Sequence, residues 1–203
     1  MDKLKAFFDQ YRKVNYKKGE VILQEETPEN IFYIQKGFVK VYTISDSGDE
    51  KLILIYQDGE IFPLPWAIND VENNFFFGAA SDITLNLVPK QDFVNYLKTE
   101  PEVMYYFLQK SLDVYKEMED RVQNLEQSKA SLKIIYLFQF LAQRFGKIEK
   151  DKVNLNLRLA HHDIASLVGI SRETASIEIK KLQDQKIISL SEGRTVVDLN
   201  KIK

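Results

Sequence analysis

Near Pro101 the apolar residues of this chain pass from short β-type runs to long helical repeats, and that change limits what it can fold into. Upstream, apolar residues come in short runs rich in β-branched and aromatic side chains: YKKGEVILQEE, NIFYIQKGFVKVYTI, EKLILIYQDGEIF and FFFGAASDITLNLVP. Gly19, Gly37, Gly48, Gly59 and Gly78 mark turns, bulges or close approaches within them; SDSGDE (45–50) is a polar hairpin turn, and Pro89 closes the last run. Runs this short and this closely spaced predict an antiparallel β-sandwich or barrel. Leu4, Phe7, Phe8 and Tyr11 sit at helical spacing before them, and QDFVNYLKTE reads as a short helix after them. Downstream, Pro101 is a good first residue for a long helix. Met104, Leu108, Ser111, Tyr115, Met118, Val122 and Leu125 then step alternately by four and three residues. That is an a/d seam interrupted only by Ser111, and it predicts a two-stranded dimer contact; the other reading is a helix lying on its own domain's core. Phe107 and Leu112 add a second apolar edge, and Glu117, Glu119, Asp120 and Arg121 are expected to keep the outer face wet.

Residues 129–145, KASLKIIYLFQFLAQRF, form a second, strongly apolar helix ending at Gly146. KIEKDKVNLNLRL reads as a loop with one short strand. HHDIASLVGISRETASIEIKKLQDQ (161–185) then carries two helical patterns around a hinge. Asp163, Ile164, Ala165, Leu167 and Val168 belong to the first, with Asp163 where a carboxylate suits the helix dipole. Gly169 fits the left-handed residue of a tight turn, Ile170 can plug the corner, and Ser171 is a good N-cap for the second helix. Ala175, Ile179 and Leu182 face inward; Arg172, Glu173, Ser176 and Lys180 face out, with Thr174 and Ile177 at the margin. SLSEGRTVVDL closes the chain as a hairpin turning at Glu192–Gly193. The pattern is a winged helix-turn-helix. Its outer face suits double-stranded DNA: Arg172 can reach phosphate or guanine O6/N7, Glu173 can accept from cytosine N4, Ser176 can bond either kind of base, and Ile177 can touch a thymine methyl. Lys180, Lys181 and Arg194 suit phosphates.

The charge distribution agrees. Residues 1–128 carry 14 Lys+Arg against 22 Asp+Glu, and residues 129–203 carry 14 against 8, so only the back part is basic. No stretch approaches the roughly 18 apolar residues of a membrane helix, and MDKLKAFFDQYRK has charges inside its apolar part, so no membrane or secretory role is expected. Cysteine is absent, which excludes disulfides and a thiolate-held iron–sulfur cluster and fits the cytoplasm. The two histidines, His161 and His162, both lie at the hinge region. A haem or metal sensor in residues 13–100 would therefore lack a His or Cys ligand, and a cupin-like metal enzyme would lack its strand histidines.

Taken in order, β-sandwich, long helix and winged helix-turn-helix resemble the cAMP receptor / fumarate–nitrate regulator (Crp/Fnr) family of bacterial transcription factors over nearly the whole chain. GEVILQEETPENIFYIQKGFVKVY (19–42), QDGEIF (57–62), VPKQDF (88–93) and HHDIASLVGISRETAS (161–176) carry the resemblance. It implies an α+β chain: a cyclic-nucleotide-binding-like β-roll or jelly roll over 1–100, a dimerisation helix over 101–128 and the DNA-binding domain over 129–203. It implies a homodimer on a near-palindromic site with RNA polymerase as a further partner, and it assigns Ser171-Arg172-Glu173-Thr174 to the start of the recognition helix. Ile177 stands where the family often has arginine. Members that bind cAMP hold it with a Phe-Gly-Glu turn, whose glutamate takes the ribose, and a later Arg-Ser/Thr-Ala, whose arginine takes the phosphate. Here Pro63 and Leu64 replace the Gly-Glu pair, the region where the arginine should fall reads Asn73-Asn74-Phe75-Phe76-Phe77, and no arginine occurs between Arg12 and Arg121. Pro63 also lacks the N–H that a phosphate nest uses. No cAMP or cGMP binding is expected. Phe62, Leu64, Trp66, Phe75 and Phe77 either line a pocket for an unidentified, largely apolar effector or fill the sandwich. A dimeric sensor whose last domain grips a protein is the alternative function; steep salt dependence of DNA binding separates the two.

Overall fold

The computed structural model describes residues 2–24, 28–149, 152–155, 157, 159–191 and 194–201, and the side chains of these except at 2, 148, 149, 190, 191, 194 and 199. Glu25 and Glu26 lie outside the described residues, as does the Glu192–Gly193 turn. The chain divides into two compact units, 1–115 and 116–203.

The first unit contains α1 (Asp2–Asp9), β1 (Lys13–Tyr16), β2 (Val21–Leu23), β3 (Asn30–Lys36), β4 (Val39–Ile44), β5 (Glu50–Tyr56), β6 (Ile61–Phe62), α2 (Leu64–Asn69), β7 (Phe76–Ala79), β8 (Ile83–Pro89), α3 (Lys90–Thr99) and the start of α4 (Pro101–Leu125). Two antiparallel sheets form, in the orders β1-β8-β3-β6 and β2-β7-β4-β5. Alternation along β3 explains how one strand serves two cores. Phe32 and Ile34 point into the sandwich, where they pack with Leu23, Val39, Val41, Phe62, Phe77 and Leu85. Ile31 and Tyr33 point the other way, into a helical layer built from Phe8, Trp66, Phe93, Val103 and Phe107. Burying each such side chain stabilises the fold by about 1.5–3 kcal/mol.

Phe107 is only 8% exposed and packs edge-on to Phe93, their ring centres 5.6 Å apart. It belongs to the unit's own core and not to a second edge of the seam, because the first turns of α4 must close the helical layer.

The second unit holds the rest of α4, α5 (Ala130–Phe145), β9 (Gly146–Glu149), β10 (Lys152–Leu155), α6 (His161–Val168), α7 (Arg172–Asp184), β11 (Ile188–Ser191), β12 (Arg194–Asp198) and a 3₁₀ turn (Leu199–Lys201). The segment after Gly146 is not a loop with one strand. It is a hairpin, β9–β10, and β10 also pairs with β12, giving a four-stranded sheet β11-β12-β10-β9. Val153 and Leu155 bury one face of β10, while β9 contributes backbone pairing that its composition does not announce. Gly146 starts that hairpin: a Cβ there would fall on the Ala142 carbonyl and the Val153 side chain. The core joins Ile134, Leu137, Phe138 and Leu141 of α5 to Ile164, Val168, Ala175, Ile179 and Leu182 of the helix pair.

Glu117 and Arg121 do not keep an outer face wet. Glu117 forms an ion pair with Arg144 of α5, whose side chain is 7% exposed, and burial pushes the Arg121 guanidinium below its ordinary range. The last turns of α4 are a packing surface for α5.

Candidate nucleic-acid interface

The helix pair is built by local rules. Ile164, Ala165, Leu167 and Val168 bury one side of α6. At its start the Ala160 N–H donates to Asp163 Oδ2 at 2.9 Å, which satisfies one of the donors a helix leaves open. Gly169 ends it with φ 65° and ψ 43°, the left-handed conformation, and the Ile170 N–H donates back to the Ala165 carbonyl at 3.1 Å. A Cβ on Gly169 would meet only Leu125 Cδ2, at an ordinary 3.5 Å, so backbone angle, not lack of room, selects glycine. Ser171 caps α7: its Oγ accepts from the Thr174 N–H at 3.1 Å.

Ala175, Ile179 and Leu182 are buried, as their spacing predicts. Ser171, Arg172, Glu173, Ile177, Lys180 and Lys181 are exposed, Ile177 to 57%. The Glu173 carboxyl is held below the usual carboxylate range, first by its own backbone N–H at the helix start, then by the Ser171 hydroxyl. It therefore stands as an acceptor, the form an amino-bearing base edge requires. Thr174 and Ser176 are half-buried and already engaged: Thr174 with Ser171 (3.0 Å), Ser176 with His161 Nδ1 (2.9 Å). Lys181 Nζ reaches Glu178 at 2.6 Å, which leaves Lys180 as the better placed of the two lysines for phosphate. The backbone of Arg194 pairs with Ser191 at the end of the terminal hairpin; its side chain lies outside the described ones. Sequence reasoning missed the His161–Ser176 bond, since two helices must cross to make it; the remaining exposed residues follow from helical spacing.

Along α4, Met104, Leu108, Tyr115 and Val122 are 46–64% exposed, and Leu112 is 59% exposed. Ser111 Oγ donates to the Phe107 carbonyl at 2.9 Å, so the polar residue in the seam is satisfied within its own helix. Met118 and Leu125 are half-buried. Leu125 is the seam position that turns toward the chain's own Gly169 corner.

The aromatic residues named as a pocket do not line one space. Phe62 stacks between Phe32 and Phe77, with ring centres 5.0 and 4.9 Å away, inside the sandwich. Leu64 and Trp66 pack in the helical layer. Phe75 precedes β7 and is 39% exposed. The sheet separates the two groups, which sequence spacing alone does not reveal.

The segment a nucleotide phosphate would need runs from β6 into α2. Pro63 occupies the N-cap position and the helix that follows has six residues. Glu60 Oε2 accepts the Gln57 N–H at 2.8 Å. Asn73 is 8% exposed; its amide donates to the Gln24 and Phe75 carbonyls at 2.8 and 2.9 Å and its oxygen accepts the Phe75 N–H. Among the described residues no group of three or more His, Asp or Glu could hold a metal ion, and no helix is long and apolar enough to cross a membrane.

Two family models match the chain. The cyclic nucleotide-binding domain matches residues 13–100, and the Crp-like helix-turn-helix domain matches residues 133–203. The global nitrogen regulator of Synechococcus elongatus is 22% identical over 185 residues, covering 90% of this chain and 83% of that protein. The cAMP-activated global transcriptional regulator CRP of Pasteurella multocida is 21% identical, covering 89% and 86%. A solved structure of a CooA mutant from Carboxydothermus hydrogenoformans matches with a TM-score of 0.77 at 22% identity, covering 97% of this chain and 88% of that one.

Proposed function

The chain belongs to the Crp/Fnr family of DNA-binding transcription regulators, and is a regulator rather than an enzyme; from that premise we propose that it binds a near-palindromic site as a homodimer and that its sensor unit takes no cyclic nucleotide. The observation that carries the dimer is the exposure of the seam residues Met104, Leu108, Tyr115 and Val122 on one chain, while Val103 and Phe107 on the same helix are buried. Exposed apolar residues repeating at heptad spacing are a seam awaiting a second helix. Two such chains bring two copies of α7 to successive major grooves about 34 Å apart. Arg172 and Glu173 read base edges, with Ile177 at a thymine methyl; Ser171, Thr174 and Lys180 steady the helix and its phosphates, aided by Lys181 and Arg194. In the division we favour, 1–100 senses, 101–128 pairs the chains and 129–203 reads DNA.

The residues from β6 to Asn73 do not fit a cyclic nucleotide. Pro63 offers no N–H, Asn73 is occupied by backbone partners, and no arginine lies between Arg12 and Arg121. A phosphate there would lack the charge-assisted bonds that make such contacts strong. The absence of cysteine, and of histidine in residues 13–100, leaves haem and an iron–sulfur cluster without their usual ligands. We assign no effector to these aromatic residues: Phe62 and Phe77 pack in the sandwich, Trp66 packs in the helical layer, and Phe75 is exposed.

Selection of bound duplexes from a random pool, followed by anisotropy on whole and single half-sites, tests the reading. The expected result is a two-fold symmetric site that binds far more tightly than either half. Val122→Lys should split the dimer at low micromolar concentration in sedimentation experiments and remove that advantage. A monomeric wild type that prefers no sequence would refute the proposal; calorimetry showing tight cAMP binding would refute its second part.

A further inference from the structure

Ser176 lies on the reading face of α7, yet its hydroxyl is held from outside that helix. His161, the first residue of α6, places Nδ1 2.9 Å from Ser176 Oγ, and both residues are half-buried. Either partner can donate. A serine hydroxyl has one proton and two lone pairs; a neutral imidazole has one bare nitrogen and one N–H, and an imidazolium has two N–H groups. The consequences for DNA are opposite. When Nδ1 is bare, the Ser176 O–H donates to it and only lone pairs remain for a base. When Nδ1 carries a proton it donates to Oγ, and the Ser176 proton is released toward the groove.

We propose that His161 is a positioning residue for the recognition helix, and that its protonation decides whether Ser176 meets the DNA as an acceptor or as a donor. This rests on the reading of α7 as the helix in the groove. An acceptor favours the amino groups of adenine N6 and cytosine N4; a donor favours guanine O6/N7 and thymine O4. One base position in each half-site thus changes preference with the protonation of His161. Among the described residues, the charged groups nearest the pair along the two helices are His162 and Asp163 on α6, and Arg172, Glu173, Glu178 and Lys180 within about one turn of Ser176 on α7. α5, which packs on both helices, buries Ile134, Leu137, Phe138 and Leu141, and its Arg144 is paired with Glu117. His162 faces Asp163 at 3.2 Å and so serves as an internal control.

The test is duplex selection with the full-length protein at about pH 5 and about pH 8, the two ends of the window in which imidazoles ordinarily change charge. In the wild type one position per half-site should move from amino-bearing toward keto-bearing bases as pH falls. The ratio should change roughly fivefold or more, the low end of what one wrong base pair costs. Ser176→Ala and His161→Gln should each remove the pH dependence while still selecting the rest of the site. His162→Gln should keep it. An unchanged preference in a wild type that still selects a site overturns the proposal, as does a shift that survives His161→Gln or disappears with His162→Gln. A wild type that selects no sequence at either pH overturns the recognition-helix reading, and this proposal with it. The wild-type comparison needs no substitution, so it stands even if a variant folds poorly.

Discussion

Two glycines in the DNA-binding unit are required for different physical reasons, and alanine should tell them apart. Gly169 has φ 65°, and a Cβ there meets Leu125 Cδ2 at a comfortable 3.5 Å. Its replacement costs the left-handed penalty of roughly 1–2 kcal/mol, offset by about 0.4–1 kcal/mol because alanine narrows the unfolded ensemble. The net loss for Gly169→Ala is about 1 kcal/mol, which is about fivefold in an opening equilibrium. Gly146 has φ −83°, an angle any residue adopts, but its Cβ would overlap the Ala142 carbonyl and the Val153 side chain. The carbonyl belongs to the last turn of α5 and cannot swing aside, so Gly146→Ala should cost about 3 kcal/mol, the upper end of overpacking effects. Asparagine sharpens the contrast. It tolerates the left-handed region, so Gly169→Asn should cost less than Gly169→Ala, whereas Gly146→Asn should cost more than Gly146→Ala. Amide hydrogen exchange across α5, α6 and α7 in the full chain reads both effects. If asparagine is not milder than alanine at Gly169 and harsher than alanine at Gly146, angle and space have been wrongly assigned.

Three further outcomes follow from the same residues. Lys180→Ala should lower the salt slope of DNA binding by about one phosphate contact, whereas Lys181→Ala should lower it less, since Lys181 is already paired with Glu178; equal slopes would contradict this. Glu173, whose carboxyl is held below the usual carboxylate range by its backbone N–H and Ser171, supports α7 fully above the unfolded carboxyl value, and that support is lost as pH falls through the lower folded value. Base preference at its position should accordingly outlast the ordinary carboxylate range on acidification, a trend that Glu173→Gln abolishes. Phe62→Ala, which empties a fully buried site between Phe32 and Phe77, should cost about 3–5 kcal/mol in the thermal unfolding of the first unit; a neutral substitution would mean the ring lines open space after all.

Much of the fold could be read from the sequence because it depends on neighbours in sequence. Strand alternation, the Ser171 cap and the Gly169 turn are decided within a few residues, and all three stand in the structure. What could not be read depends on pairs far apart. Arg144 and Glu117 are 27 residues apart and His161 and Ser176 are 15 apart, so neither bond has a local signal. β9 was missed because GKIE carries little β-forming character and exists by pairing with β10. The aromatic cluster misled for a related reason: Phe62 and Trp66 are four residues apart but lie on opposite sides of a sheet.

The pairing of Glu117 with Arg144 bears on where this molecule can be cut. Arg144 keeps only 7% of its side chain in contact with solvent, and a cation so enclosed tolerates the loss of its counter-ion badly. A fragment truncated to start at α5 would retain that cation and discard the Glu117 carboxylate paired with it, together with the Leu125 contact at the Gly169 corner. The smallest autonomous reader of DNA should therefore start at Lys116, carrying its own stub of the long helix as an indispensable splint.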